Sequence, residues 1–131
     1  MKKLVLGFLL SLIALFGIQD ATAANWLPLM QMKDGSKVSI DIGSIRPIND
    51  TTYAMWDKTD HEDGSYTVGL SYYSTDRVAM VVISVVEYDK EGNVIGSASR
   101  APYEYDLYWT PIVPGTLGEA LYTCATGTLN K

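Results

Sequence analysis

The sequence predicts an α+β domain: a six-stranded antiparallel sheet with a C-terminal helix packed on one face. Three observations carry that expectation. Several segments alternate apolar and polar residues with the period of a half-buried strand, and Gly-containing polar turns separate them. One segment, 78–88, is apolar on both faces, so the sheet needs a cover on its second side. A single stretch near the C-terminal end, after Pro114-Gly115, has helical spacing instead.

The elements follow in order. Trp26–Met32 is the first strand, and Asp34-Gly35 turns the chain into a second, where Val38, Ile40 and Ile42 alternate with Lys37, Ser39 and Asp41. Thr51–Asp57, rich in Thr and aromatic residues, is the third. His61-Glu62-Asp63-Gly64 has turn chemistry. After it, Tyr66, Val68, Leu70 and Tyr72 alternate with Ser65, Thr67, Gly69 and Ser71 as a fourth strand. In the fifth, Val78–Tyr88, Val78, Met80, Val82 and Val86 are expected on one face, and Ala79, Val81, Ile83 and Val85 on the other. The polar turn Asp89–Asn93 leads to a sixth strand over Val94–Arg100.

Thr116-Leu117-Gly118-Glu119 fits a capping box with Thr116 as N-cap. Leu117, Ala120, Leu121 and Cys124 then fall at i, i+3, i+4 and i+7, and Gly127 is a stop signal. A helix of about three turns is too short to be stable alone in water, so Leu117, Leu121 and Cys124 are expected to dock on the sheet.

The 131-residue chain opens with Lys2 and Lys3, an apolar run over Leu4–Ile18 and the small-residue site Ala21-Thr22-Ala23. These are the parts of a secretory signal peptide, and cleavage after Ala23 or Ala24 is expected. The run falls short of the roughly 18–20 residues of a membrane-spanning helix, although a retained anchor is the alternative. No cysteine near the cleavage site could carry a lipid, so no stable membrane anchor is expected. The expected location is exported: periplasmic or secreted, with the cell surface open to it.

Losing residues 1–23 removes Lys2, Lys3 and Asp20, leaving 8 basic and 14 acidic residues in one domain over 24–131. A net charge near −6 repels nucleic acid and anionic lipid and attracts a basic partner. With Cys124 as the one cysteine, no disulfide can form within the chain. The thiol is either buried and inert or available to a second chain.

Catalysis finds little to work with. His61 is the one histidine, and it sits in an acidic turn with no serine elbow or cysteine near it in the sequence. Asp57, Asp60, His61, Glu62 and Asp63 could hold a hard cation, but with Gly64 as the loop glycine the twelfth ligand position of a calcium loop falls on Leu70. A solvated turn accounts for the same residues. No cofactor is expected, and no enzymatic activity. Tyr103, Tyr105, Tyr108 and Trp109 are the candidate binding surface, because Tyr and Trp give large contact area at small entropic cost. The competing role for them is packing over the sheet edge.

Trp26, opening the mature domain, and four stretches together resemble the surface-adhesin protein E-like family of Gram-negative bacteria: "VSIDIGSIRP" (38–47), "YAMWD" (53–57), "VVEYDKEGNVIGS" (85–97) and "WTPIVPGTLGEALYTC" (109–124). The resemblance implies a six-stranded antiparallel sheet with the helix on its concave side. It implies adhesion to host extracellular-matrix and serum proteins, and it admits a homodimer. In the family a disulfide tethers the helix; Cys124 matches the helix position, but no cysteine stands at Ser74–Val78, where the partner would fall. A different binding function, a periplasmic inhibitor or scavenger of a basic protein such as lysozyme, follows from the acidic charge.

Overall fold

The computed structural model describes residues 25–127, so the predicted leader over 1–23 lies outside the described residues. Six strands run in chain order across one antiparallel sheet: β1 (Trp26–Gln31), β2 (Lys37–Pro47), β3 (Thr52–Asp60), β4 (Tyr66–Ser74), β5 (Ala79–Tyr88) and β6 (Val94–Ser99). A 3-10 turn over Pro102–Leu107 follows, then a two-residue strand β7 (Thr110–Pro111) paired with the start of β5, and the helix α1 (Leu117–Thr126).

Three hairpins share one turn. In each, the residue before the loop donates its N–H to the carbonyl four residues on and accepts from the glycine three residues on, as His61 does with Ser65 and Gly64, and the glycines at 35, 64 and 92 take φ near +90°. An aspartate locks each loop: Asp34 accepts from Ser36, Asp63 from Ser65, and Asp89 from Glu91 and Asn93. These hydrogen bonds hold the three carboxyls below the usual range, led by the Ser36 hydroxyl at Asp34, the Ser65 hydroxyl at Asp63 and the Asn93 N–H at Asp89. The loops interlock, since Glu62 packs on Gly35 and Lys90 on Gly64.

Two irregularities modify the expected strands. At the β2 corner the Ser44 hydroxyl donates to the Asp41 carbonyl and accepts from the Trp56 N–H, so β2 bends there and continues to Pro47. In β5, Leu70 pairs with Ser84 and Ser71 with Val82, which leaves Ile83 as an extra residue. That bulge corrects the predicted facing. Val85 joins Met80 and Val82 on the helix side, and Val86 joins Ala79 and Val81 on the other. Val78 lies outside the strand at φ 49° and is exposed.

The helix crosses the sheet diagonally. Its first turn stands by Met80 of β5, and its last residues reach Ile42, Ile45 and Tyr53. Thr116 caps it by accepting from the Glu119 N–H, while Glu119 accepts from the Gly115 N–H. Leu121 and Ala125 bury against Val38, Ile40, Met55 and Tyr73, with Leu117 and Cys124 partly buried beside them. The opposite face has a different cover. Ala54, Ala79 and Val81 are buried there, and Tyr105 of the 102–107 turn meets Tyr72, in the same row, edge to face at 5.5 Å.

Candidate functional site

The predicted aromatic surface is built on the 102–107 turn, which is fastened at both ends. Arg100 leaves β6 by donating its N–H to Ile83 O and its Nε to Val82 O at 2.8 Å, filling the gap where β5 has no neighbouring strand. Its guanidinium carbon lies 3.9 Å from the Tyr108 ring centroid. Pro102 opens the turn with a fixed φ, and Glu104 accepts from the Ala101 N–H at 2.8 Å. Asp106 accepts from Trp109 Nε1 at 3.0 Å and from Arg77 at 3.2 Å, and Arg77 also stands 5.2 Å from the Trp109 ring centroid. Beyond Trp109, β7 closes the segment back onto Ala79 and Met80.

The four candidates therefore divide. Tyr105 and Trp109 are half-buried and anchor the segment. Tyr108 is partly exposed over Arg100, and Tyr103 projects into solvent at 81% exposure. Leu107, 73% exposed, joins Tyr103 on the surface of the turn. Leu107 and the fastening residues Arg77, Arg100 and Asp106 were not singled out by sequence reasoning. The signal available in the sequence was a Leu within a tyrosine-rich loop. Beside the platform lies a cleft of about 300 Å³ lined by Val82, Val85, Ala98, Arg100 and Glu104. That is the low end of ligand-site sizes and gives room for one or two side chains.

The helix-docking residues lie together under α1, and Cys124 also lines an apolar cavity of about 430 Å³ with Ile42, Ile45 and Tyr53. It is a free thiol, pushed up in pKa by burial and so kept in its unreactive form. Ala125, the next residue and one turn on from Leu121, is more deeply buried than Cys124.

The acidic run does not converge. Asp57 faces the helix side, where burial pushes its carboxyl up to about 6. Asp60 pairs with Lys58 at 3.6 Å on the opposite face, His61 meets the Thr67 hydroxyl, and Asp63 is held by Ser65. No group of three or more His, Cys, Asp or Glu placed to hold a metal occurs among the described residues. Tyr73 is fully buried near the buried Ser71, and its hydroxyl has no partner within hydrogen-bond geometry among the described residues.

Comparison with protein-family models, with curated proteins and with solved structures found no match to this chain.

Proposed function

We propose that the chain is an exported, non-enzymatic binding protein that engages a protein partner through the 102–109 platform, in the manner of the protein E-like adhesins whose motifs it resembles. The observation that carries this reading is the exposure of Tyr103 and Leu107 on a segment fastened by Arg77, Arg100 and Asp106. Neither side chain is used in folding, and both stand on a backbone whose order is already secured. That is the arrangement of an interface anchor, because little entropy remains to be lost on binding.

The test is binding to immobilised host extracellular-matrix and serum proteins by the protein and by its Tyr103→Ala, Leu107→Ala double variant. A loss of about thirtyfold or more, at unchanged melting temperature, is expected for a pair of interface anchors. Equal binding by the variant removes the platform from the interface. Protease treatment of intact cells, compared with osmotic-shock release, tests location; complete shielding of the protein would sink the adhesin reading.

The acid excess supports a second reading, capture of a basic protein in the periplasm. Lysozyme activity unchanged by micromolar protein would dispose of that version.

A further inference from the structure

The two edges of the sheet are unlike. β1 is guarded: Pro28 lacks a donor, and the pairing with β2 breaks between Pro28 and Met30. β6 shares the irregularity, since its pairing with β5 skips Ile95 between Val94 and Gly96, but it lacks the proline. It pairs with β5 on one side, and no strand lies on its other side among the described residues. Its sequence, Val-Ile-Gly-Ser-Ala-Ser, contains neither charge nor proline, and Val94 and Ile95 are 58% and 62% exposed. Natural sheets seldom leave such an edge open, because its unpaired N–H and C=O groups form a template for another strand.

Glu87 gives that edge a preference. It is the exposed partner of Gly96 across the β5–β6 ladder, and its Oε1 lies 3.5 Å from where a Cβ at Gly96 would stand. The carboxylate thus rests over a position with no side chain, next to the free side of β6. It has no salt-bridge partner among the described residues. A residue docking opposite Gly96 on this face would meet that negative charge, and the adjoining turn adds Asp89 and Glu91 against Lys90, which packs toward Gly64.

From this we propose that β6 is a strand-addition site for an extended segment of a partner protein, one carrying Lys or Arg opposite Gly96 between β-branched residues. Main-chain pairing supplies the attachment and Glu87 the selectivity. A second copy of this chain fits the edge poorly. Antiparallel pairing about the centre of β6 would put both Glu87 carboxylates on one face of the seam, with no basic residue in either β6 to meet them. The inference rests on the binding-protein reading and adds the chemistry of the partner segment.

The experiment is an NMR titration of the purified protein with two end-blocked peptides of about seven residues, the length of an ordinary strand. Both alternate Val and Thr and differ only in a central Lys or Glu. The Lys peptide is expected to shift the amides of Val94–Ser99, to slow their hydrogen exchange, and to bind at least about fivefold tighter than the Glu peptide. Glu87→Lys, a change at an exposed site, should reverse the preference, and Ile95→Lys should weaken both peptides by placing a charge on the edge.

Silent β6 amides at millimolar Lys peptide overturn the inference, as does equal affinity for the two peptides. Protection of β6 that grows with protein concentration alone overturns it too, by making a second copy the occupant. If β6 stays silent while the Tyr103→Ala, Leu107→Ala variant still loses its partner, strand addition fails and the platform stands.

Discussion

Asp57 lies opposite Gly69 in the β3–β4 ladder, and its carboxyl occupies the space beside the missing side chain, with Oδ1 3.5 Å from where a Cβ would be. Ile40 flanks it on β2, with Met55 one row away. The apolar setting raises its pKa to about 6 by burial. The unfolded chain ionises this group near 3.8, so folding is penalised once the solution pH passes that value. The contribution is absent at pH 3, grows between about pH 4 and 6, and is constant above.

Asp57→Asn should therefore match the parent protein at pH 3 and be more stable at pH 7, by about 2 kcal/mol after allowing for the carboxyl's remaining exposure. Asp34, Asp63 and Asp89 act with the opposite sign, since their lowered pKa values make folding more favourable as pH rises through the acid range. The difference between variant and parent in urea unfolding, followed from pH 3 to 8, isolates Asp57. A variant less stable at pH 7 would mean that the carboxylate has a favourable partner.

Tyr73 is buried beneath the helix with its hydroxyl unpaired. Its pKa is raised, first by desolvation and then by the charge of Asp57, so the phenol stays neutral until the protein unfolds. Burying an unmatched hydroxyl costs about 1–3 kcal/mol, and Phe has the same ring without it. Tyr73→Phe is expected to be neutral or to stabilise by about 1 kcal/mol. A destabilisation larger than that, measured by denaturant unfolding, would show that the hydroxyl is bonded, to Ser71 or to a buried water.

What the sequence made legible was local. Asp-Gly turns, alternation in β2 and β4 and the Thr116 cap are each encoded within a few residues, and the structure has all of them. The bulge at Ile83 was hidden because Val, Ile and Val on both sides give each register the same pattern. β7 was hidden because two residues carry no periodicity. In the platform, the tyrosines could be seen as a group, but their division into anchors and exposed residues could not. That division depends on Arg77 meeting Asp106, a pairing 29 residues apart that no local pattern encodes.

Gly64 joins two constraints, a φ of +92° and a close neighbour, since a Cβ there would stand 3.0 Å from the Cβ of Lys90. The first disfavours any L side chain by about 1 kcal/mol, and the second makes the adjacent hairpin yield. Gly64→Ala should cost about 1–3 kcal/mol in thermal or urea unfolding, whereas Lys90→Ala, which removes only an exposed side chain, should stay within about 0.5 kcal/mol. Equal effects from the two substitutions would mean that the interlocked turns contribute nothing beyond their own conformations.

Helix docking divides between Leu121 and Cys124. Leu121 is 5% exposed and packs with Val38, Ile40, Met55 and Tyr73, so Leu121→Ala leaves a cavity and should cost about 2–4 kcal/mol. Cys124 is partly buried at the rim of the apolar cavity by Ile42 and Tyr53, and Cys124→Ala should cost less than about 1.5 kcal/mol. Its raised pKa and partial cover also predict slow reaction with an aromatic disulfide reagent at pH 8, accelerating when urea opens the helix from the sheet. Sedimentation of the Cys124→Ala variant should match that of the parent protein. Fast labelling in the native state, or a change in oligomeric state on substitution, would show that the thiol serves contact with another chain and that Leu121 and Ala125 hold the helix without it.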